Sequence, residues 1–204
     1  MPTLLLIRHG ENDFLKKGRL PGRLPGIHLN PRGLVQAAAL AASLAKLPIK
    51  AVYSSPLERA VETAQPLARA LGLEVQLRPG LLDGDVGSWQ GMSLKNLGRK
   101  PIWKLVQQSP SLVRFPEGES FLEVQARIVS ELQALCTSHK PKDLLAVVFH
   151  ADPIKLAIAH YVGLPLDRFQ RLGISAASVS ILQVGPGGAQ LAALNLKPPF
   201  ALKP

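Results

Sequence analysis

Leu4-Leu5-Leu6-Ile7-Arg8-His9-Gly10-Glu11 decides how this chain is read. Four consecutive apolar residues are the pattern of a strand buried on both faces. A guanidinium and an imidazole placed where such a strand stops are not explained by packing, because a buried charge is costly unless it is paired. Arginine presents a fixed fork of donors that matches phosphate oxygens, and a neutral imidazole is a competent nucleophile. A second apolar run, Val147-Val148-Phe149, ends the same way, in His150. Together the two strand-end histidines point to phosphoryl chemistry on histidine.

Outward from this segment, strand and helix signals alternate. Thr3 to Ile7 is the first strand. Asn30-Pro31 predicts a helix start, with Asn as cap and Pro in the first turn, and the helix should run to about Leu47 before Pro48 stops it. Ala51 to Ser54 is the next strand. Ser55 and Glu58 have the spacing of a capping box, and Leu57, Ala60, Val61, Ala64, Leu67, Ala68 and Leu71 follow at helical spacing up to Gly72. Glu74 to Leu77 reads as a short strand. Ser120 and Glu123 form a second capping box, followed by an apolar face through Phe121, Val124, Ile128, Leu132 and Leu135. Leu144 to Phe149 is a buried strand, and Asp152-Pro153 is the expected start of the next helix. Val179–Val184 and Gln190–Leu194 flank Gly185-Pro186-Gly187-Gly188, a hairpin signal. This order predicts an α/β fold, a three-layer α/β/α sandwich with a mostly parallel sheet made mixed by the terminal hairpin. Residues 1–204 read as a single domain. Residues 79–119, rich in Gly and Pro with short helices expected near Leu94 and Trp103, read as a lid-like excursion within it.

Composition narrows the function. At 204 residues, 47% apolar and 19% charged, the chain can bury a sizeable core. The net charge of +10 is scattered, with no block of five or six like charges and no aromatic stacking motif, so no nucleic-acid partner is expected. The positive field instead suits small anionic metabolites. No apolar run approaches the roughly 18 to 20 residues of a membrane span, so no membrane partner is expected either. The N-terminus lacks the basic flank and cleavage site of a secretory signal, and Cys136 is a lone cysteine, which together predict a cytoplasmic location. An exposed sheet edge leaves a homodimer open.

In open α/β sheets, ligands bind beyond the carboxyl ends of the strands. His9 and His150 follow two strands directly. Arg59 lies in the first turn of the helix after a third, where the helix N-terminus itself favours phosphate. Three separate segments thus bring nucleophilic or cationic groups to one edge.

With these residues in place the chain resembles the histidine phosphatase superfamily, the group that includes cofactor-dependent phosphoglycerate mutases. The matching motifs are Leu6-Ile7-Arg8-His9-Gly10-Glu11, Ser54-Ser55-Pro56-Leu57-Glu58-Arg59-Ala60 with Glu62-Thr63-Ala64, Gly87-Ser88-Trp89-Gln90-Gly91, Phe115-Pro116-Glu117-Gly118-Glu119-Ser120 and Val148-Phe149-His150. They occur in family order over nearly the whole chain. The resemblance implies that His9 becomes a phosphohistidine and that Arg8, Arg59 and His150 bind the transferred phosphoryl oxygens. Neighbouring arginines should depress the pKa of His9 and keep its lone pair free. No metal and no cofactor are implied, apart from 2,3-bisphosphoglycerate if the chain is a mutase.

Three departures from the family pattern bear on the site. The Glu that stands before the Gly-x-Trp-x-Gly motif in similar proteins is replaced by Asp83, one methylene shorter, which is expected to need a shifted backbone or a bridging water to act as proton donor. Asp85, two residues on, competes with it. The Asn found a few residues after Arg-His-Gly is missing, with Phe14 and Leu15 in that region, and its phosphate contact is expected to be either absent or supplied by Asn12. The second His is followed by Ala151 instead of Gly, which keeps the backbone N–H for phosphate. At the rim, Glu11, Arg19, Arg23 and Arg114 are candidates for substrate contacts. Trp89 and Trp103 read as packing within the excursion, and His28, His139 and His160 as structural or exposed. The expected activity is a phosphomonoesterase acting through a phosphohistidine on a small anionic metabolite, a phosphoric monoester hydrolase of the histidine acid phosphatase type. A cofactor-dependent phosphoglycerate mutase and a weakly catalytic phospholigand-binding regulatory module are the alternatives.

Overall fold

Alternation along the central strands builds two apolar layers, one on each face of a single sheet. The computed structural model describes residues 2–185 and 187–200. In chain order the elements are β1 (Thr3–Arg8), α1 (Asp13–Lys16), α2 (Pro31–Leu44), β2 (Ile49–Ser54), α3 (Glu58–Leu71), β3 (Val75–Leu77), α4 (Leu94–Leu97), α5 (Ile102–Gln108), α6 (Phe121–Thr137), β4 (Leu144–Phe149), α7 (Ala151–Tyr161), β5 (Val179–Gly185) and β6 (Gly188–Leu196). The sheet order is β3-β2-β4-β1-β5-β6. β3, β2, β4 and β1 run parallel, and β5 and β6 complete the sheet antiparallel. The expected hairpin pairs as read, and Pro186 in its turn lies outside the described residues.

Leu5 and Ile7 of β1 face one way and pack with Leu40 and Leu44 of α2 and Ala64 and Leu67 of α3. Leu4 and Leu6 face the other way, into a core shared with Ile128 and Leu132 of α6 and Leu156 and Ile158 of α7. Both faces are therefore covered, which is why these strands carry continuous apolar runs. Residues 79–119 belong to the second core. Leu81, Val86, Trp89, Leu97, Val106, Val113 and Phe115 are buried there, and the Trp89 ring meets Phe115 at 5.5 Å and Trp103 at 6.1 Å. No helix among the described residues is long and apolar enough to cross a membrane.

Some element ends differ from expectation. α2 stops at Leu44 instead of near Leu47, because after Ala45 the helical pattern gives way to a turn in which the Leu47 amide bonds the Leu44 carbonyl, and β2 begins at Ile49. Ser55 and Glu58 do not form a capping box: α3 begins at Glu58, and the Ser55 hydroxyl lies a long 3.4 Å from the Leu57 amide. α7 begins at Ala151 with His150 in the cap position, so Asp152 sits inside the first turn. The reason is local, since His150 keeps the extended backbone of β4 (φ −121°, ψ 161°) and the helix starts at once after it. The Ser120–Glu123 box forms in full.

Topology places the site. The parallel register pairs Arg8 with Phe149, which sets His9 and His150 abreast just past the strand ends. Ser54 of β2 pairs with Val148, so Ser55 reaches the same edge. β1 leads toward the α2 face and β4 leads directly into α7 on the opposite face. Adjacent strands whose connections part to opposite faces leave a crevice at their carboxyl ends.

Candidate active site

The two imidazoles meet edge to face, with ring centroids 5.2 Å apart. His9 is buried, and its Nδ1 lies 2.7 Å from the Gly10 carbonyl. A carbonyl only accepts, so Nδ1 carries the proton and Nε2 is left with a free lone pair. Burial, reinforced by the cations of Arg59 and Arg8, holds the His9 pKa well below its usual value. The ring is thus a neutral base whose free nitrogen is Nε2. Gly10 is needed for this arrangement. A Cβ there would come 2.8 Å from the Gly33 carbonyl, while the Gly10 amide donates to Thr63 Oγ1 at 2.9 Å. Thr63 in turn donates to the Arg59 carbonyl, tying the loop after β1 to the first turns of α3.

Arg59 is fully buried. Its Nη2 donates to the Gly22 carbonyl at 2.7 Å and contacts Asp83 Oδ2 at 3.3 Å. Gly22 adopts φ +53°, and a Cβ there would meet Gln90 and Val86 at 2.8 Å, so the carbonyl reaches Arg59 only because that residue is glycine. Arg8 Nη1 donates to the Ile174 carbonyl at 2.6 Å. His150 Nε2 lies 2.9 Å from Ser55 Oγ, and burial with Arg59 close by depresses its pKa as well. A serine hydroxyl donating to Nε2 leaves the His150 proton on Nδ1.

Beyond these contacts, Arg59 Nε and Nη1, Arg8 Nε and His150 Nδ1 are buried and meet no hydrogen-bond partner among the described residues. Each unpaired buried donor costs roughly 1–3 kcal/mol, more where it is charged. Four around one histidine is the electrostatic complement of a multiply charged oxyanion.

Asp83 stands at the edge of this group, with Oδ2 3.6 Å from His150 Nδ1. Burial pushes its pKa above the usual carboxylate range, with the Asp152 charge adding to the rise and Arg59 opposing it. Asp85 is turned elsewhere: it accepts from the Gly87 amide at 2.9 Å and faces Arg23 at 3.6 Å. The structure therefore brings Asp83 to the histidines and leaves Asp85 out. The backbone near Asp83 is held from outside. Arg127 donates to the carbonyls of Gly80, Leu82 and Asp83, and Arg23 Nε donates to the Asp83 carbonyl at 2.9 Å. Glu119 joins both arginines, at 2.7 Å from Arg23 and 2.9 Å from Arg127. This clamp fixes where the shorter carboxylate stands.

The remaining sequence candidates divide. Ala151, Arg8, His9 and Asp83 line a pocket of about 420 Å³, which Arg19 also borders. Asn12 is buried, but its side chain caps α1 by accepting from the Leu15 amide, so it does not replace the missing phosphate contact. Glu11 accepts from Asn30 Nδ2 and faces Arg32, anchoring the start of α2. Arg23 is committed to the clamp, and Arg114 pairs with Glu123 and the Gly118 carbonyl. Neither lines the pocket, because each finds a carboxylate within the protein first. Sequence reasoning gave no role at the site to Ser55, Arg127 or the Lys155–Asp152 pair. Ser55 was masked by its resemblance to a cap, and Arg127 carries no local signal, lying between Val124 and Ile128 on the core side of α6. Among the described residues, no three His, Cys, Asp or Glu side chains are grouped to hold a metal ion.

Comparison with known proteins identifies the family. Residues 4–197 match the sequence profile of the histidine phosphatase superfamily, branch 1. The chain is 31% identical over 186 residues to phosphoserine phosphatase 1 of Hydrogenobacter thermophilus, covering 90% of this chain and 87% of that protein. It is 28% identical over 187 residues to the 2,3-bisphosphoglycerate-dependent phosphoglycerate mutase of Thermoplasma acidophilum, covering 92% and 90%. Among solved structures it is similar to the mycobacterial glucosyl-3-phosphoglycerate phosphatase in complex with VO3, with a TM-score of 0.87 and 28% identity over 96% of this chain and 99% of that one. The chain spans 52% of the length of further mycobacterial relatives that it matches at 35% identity.

Proposed function

Since the chain belongs to the histidine phosphatase superfamily, we propose that it is a phosphoric monoester hydrolase that works through a phosphohistidine on His9. The observation that carries this is the ring of unpartnered donors around the free Nε2 of His9. The phosphoryl oxygens take hydrogen bonds from Arg8, Arg59 and His150, and from the Ala151 amide at the start of α7, where the helix favours an anion. His9 Nε2 attacks phosphorus in line, and the bond from phosphorus to the alcohol oxygen breaks. Asp83, whose pKa burial raises, gives its proton to the departing alkoxide. Water then attacks the phosphohistidine, Asp83 takes up its proton, and inorganic phosphate leaves with His9 free again. Fixed cations that face developing charge supply most of the stabilisation in such a transfer.

A donor that must be protonated favours the acid side of neutrality, which supports an acid-phosphatase type of enzyme. No step in this sequence calls for a metal or an added cofactor. Residues 79–119 act as the lid in this reading, since they wall the pocket through Val86, Leu94, Trp103 and Val106. The test is phosphate release from a panel of phosphomonoesters, with His9→Ala as the control. A mutase relative at 28% identity favours a second reading, isomerisation of 3-phosphoglycerate. A mutase would convert 3-phosphoglycerate faster than it releases phosphate, and only when primed with 2,3-bisphosphoglycerate. The phosphatase reading expects the reverse.

A further inference from the structure

The phosphoryl corner takes up only the His9 end of the pocket, and beyond it the wall changes character. Leu20, Val86, Trp103, Val106 and Phe121 line it, with Leu94 at the mouth. Val86, Val106 and Phe121 are buried, and Leu94 is 42% exposed. The charged side chains that share this wall already have contacts within the protein, although Arg19 meets no carboxylate among the described residues. Lys155 Nζ lies 3.1 Å from Asp152 Oδ1 and 3.1 Å from Gln170 Oε1. Arg19 turns its Nε to the Gly91 carbonyl at 2.8 Å and carries its cation over the Phe14 ring at 5.8 Å. Arg23 and Arg114 stand outside the pocket, held by Glu119 and Glu123. A second anionic group on the substrate would have to break the Lys155–Asp152 pair, draw Arg19 away from the Gly91 carbonyl and the Phe14 ring, or lie against hydrocarbon, and each is costly. An apolar group would be favoured there by burial alone.

Resting on the phosphatase reading above, we propose that the outer half of the pocket is a leaving-group subsite for an apolar alcohol. The preferred substrates are then phosphate monoesters of medium-chain alkyl or arylalkyl alcohols, and doubly anionic esters such as phosphoglycerates are poor ones. The volume is consistent with this. About 420 Å³ lies toward the lower end of the roughly 300–1,000 Å³ typical of ligand pockets, which leaves room for one ring or a short chain beside the phosphoryl group. Trp103 is only partly buried, so its ring remains available to such a group.

Two series measured side by side test the subsite and the chemistry separately. Calorimetric Kd values for n-alkylphosphonates from ethyl to hexyl report the subsite without turnover. The kcat/KM values of the matching n-alkyl phosphates report it during turnover, with phosphoserine and 3-phosphoglycerate as the acidic comparison. Affinity and kcat/KM should both rise along the series, by up to about fourfold for each buried methylene. Val106→Ser should lower the hexyl-to-ethyl ratio in both series, and Arg19→Ala should leave that ratio unchanged. A flat series in both measurements overturns the proposal. So does a preference for the acidic esters that is lost in Arg19→Ala. Phosphonate affinity that rises with chain length while no ester is hydrolysed would retain the subsite and reject the phosphatase reading instead.

Discussion

The two halves of one pocket handle charge in opposite ways. At the strand ends, Arg8, Arg59 and His150 keep buried donors without protein partners around His9. On the outer wall and rim, Lys155, Arg23 and Arg114 are each paired with a carboxylate. The inner group holds unpartnered donors that an anion can satisfy, whereas of the outer cations only Arg19 is without a carboxylate among the described residues, and it rests on the Gly91 carbonyl and the Phe14 ring. The inner groups stand on strand ends and first helical turns, where the parallel register leaves little freedom. The outer wall comes largely from residues 79–119, where side-chain identity can change without moving the sheet. On the proposed reading, chemistry would sit on rigid elements and recognition on the irregular segment.

The sharpest way to break this contrast is at its centre. His9→Ala should lower turnover by on the order of 10⁴-fold or more, since no neighbouring group offers an equivalent nucleophile. Retained activity in that variant would remove the distinction between the halves. Asp83→Asn should cost about 10²- to 10⁴-fold on alkyl phosphates, and far less on p-nitrophenyl phosphate, whose leaving group needs little protonation. Equal losses on the two substrates would show that Asp83 is not the proton donor.

Arg59→Met tests the unpartnered donors directly. Its kcat should fall by about 10²- to 10³-fold, as for loss of a transition-state donor. The change removes two unpartnered donors but also takes the donor from the Gly22 carbonyl and Asp83 Oδ2, so the melting temperature without ligand should fall only modestly while activity collapses. A variant that loses stability in step with activity would instead make Arg59 a structural residue.

The buried histidines also predict a pH signature. Both have pKa values well below 6.5 in the folded chain, whereas the unfolded chain protonates them near 6.5. Stability should therefore be fully present above pH 6.5. Below it, stability should fall by up to about 1.4 kcal/mol per pH unit for each histidine, because only the unfolded chain takes up the protons. Urea titrations from pH 7.5 to 5 measure the slope, and His150→Phe should make it shallower. The smallest effect belongs to the rim. Arg114→Ala removes an exposed, solvent-screened ion pair and should leave KM within about twofold. A large rise in KM would bring the rim back into substrate binding.

The contrast also separates what could be read in the sequence from what could not. The strand-end pattern of Arg8-His9 and His150 was legible, because charge at the end of a buried apolar run has few structural explanations. The α/β class with a mostly parallel sheet follows from the alternation of strands and helices, whereas the strand order became visible only in the structure. The commitments of the rim cations were not legible. Arg23 has the same loop context whether it meets a substrate or Glu119, 96 residues away, and only folding decides between them. Ser55 shows the converse, since a good local capping pattern yields when His150 is brought within 2.9 Å by strand pairing. Asn12 follows the local rule instead, capping α1 where a longer-range role was expected.

Trapping the covalent intermediate tests the central claim most directly. Enzyme mixed with a rapidly hydrolysed aryl phosphate, quenched in alkali and mapped by peptide mass spectrometry should carry one phosphoryl group on His9. That group should be lost on acidification and should not form in His9→Ala. A phosphoryl group on any other residue, or an inverted configuration at phosphorus with a chiral ester, would contradict the account.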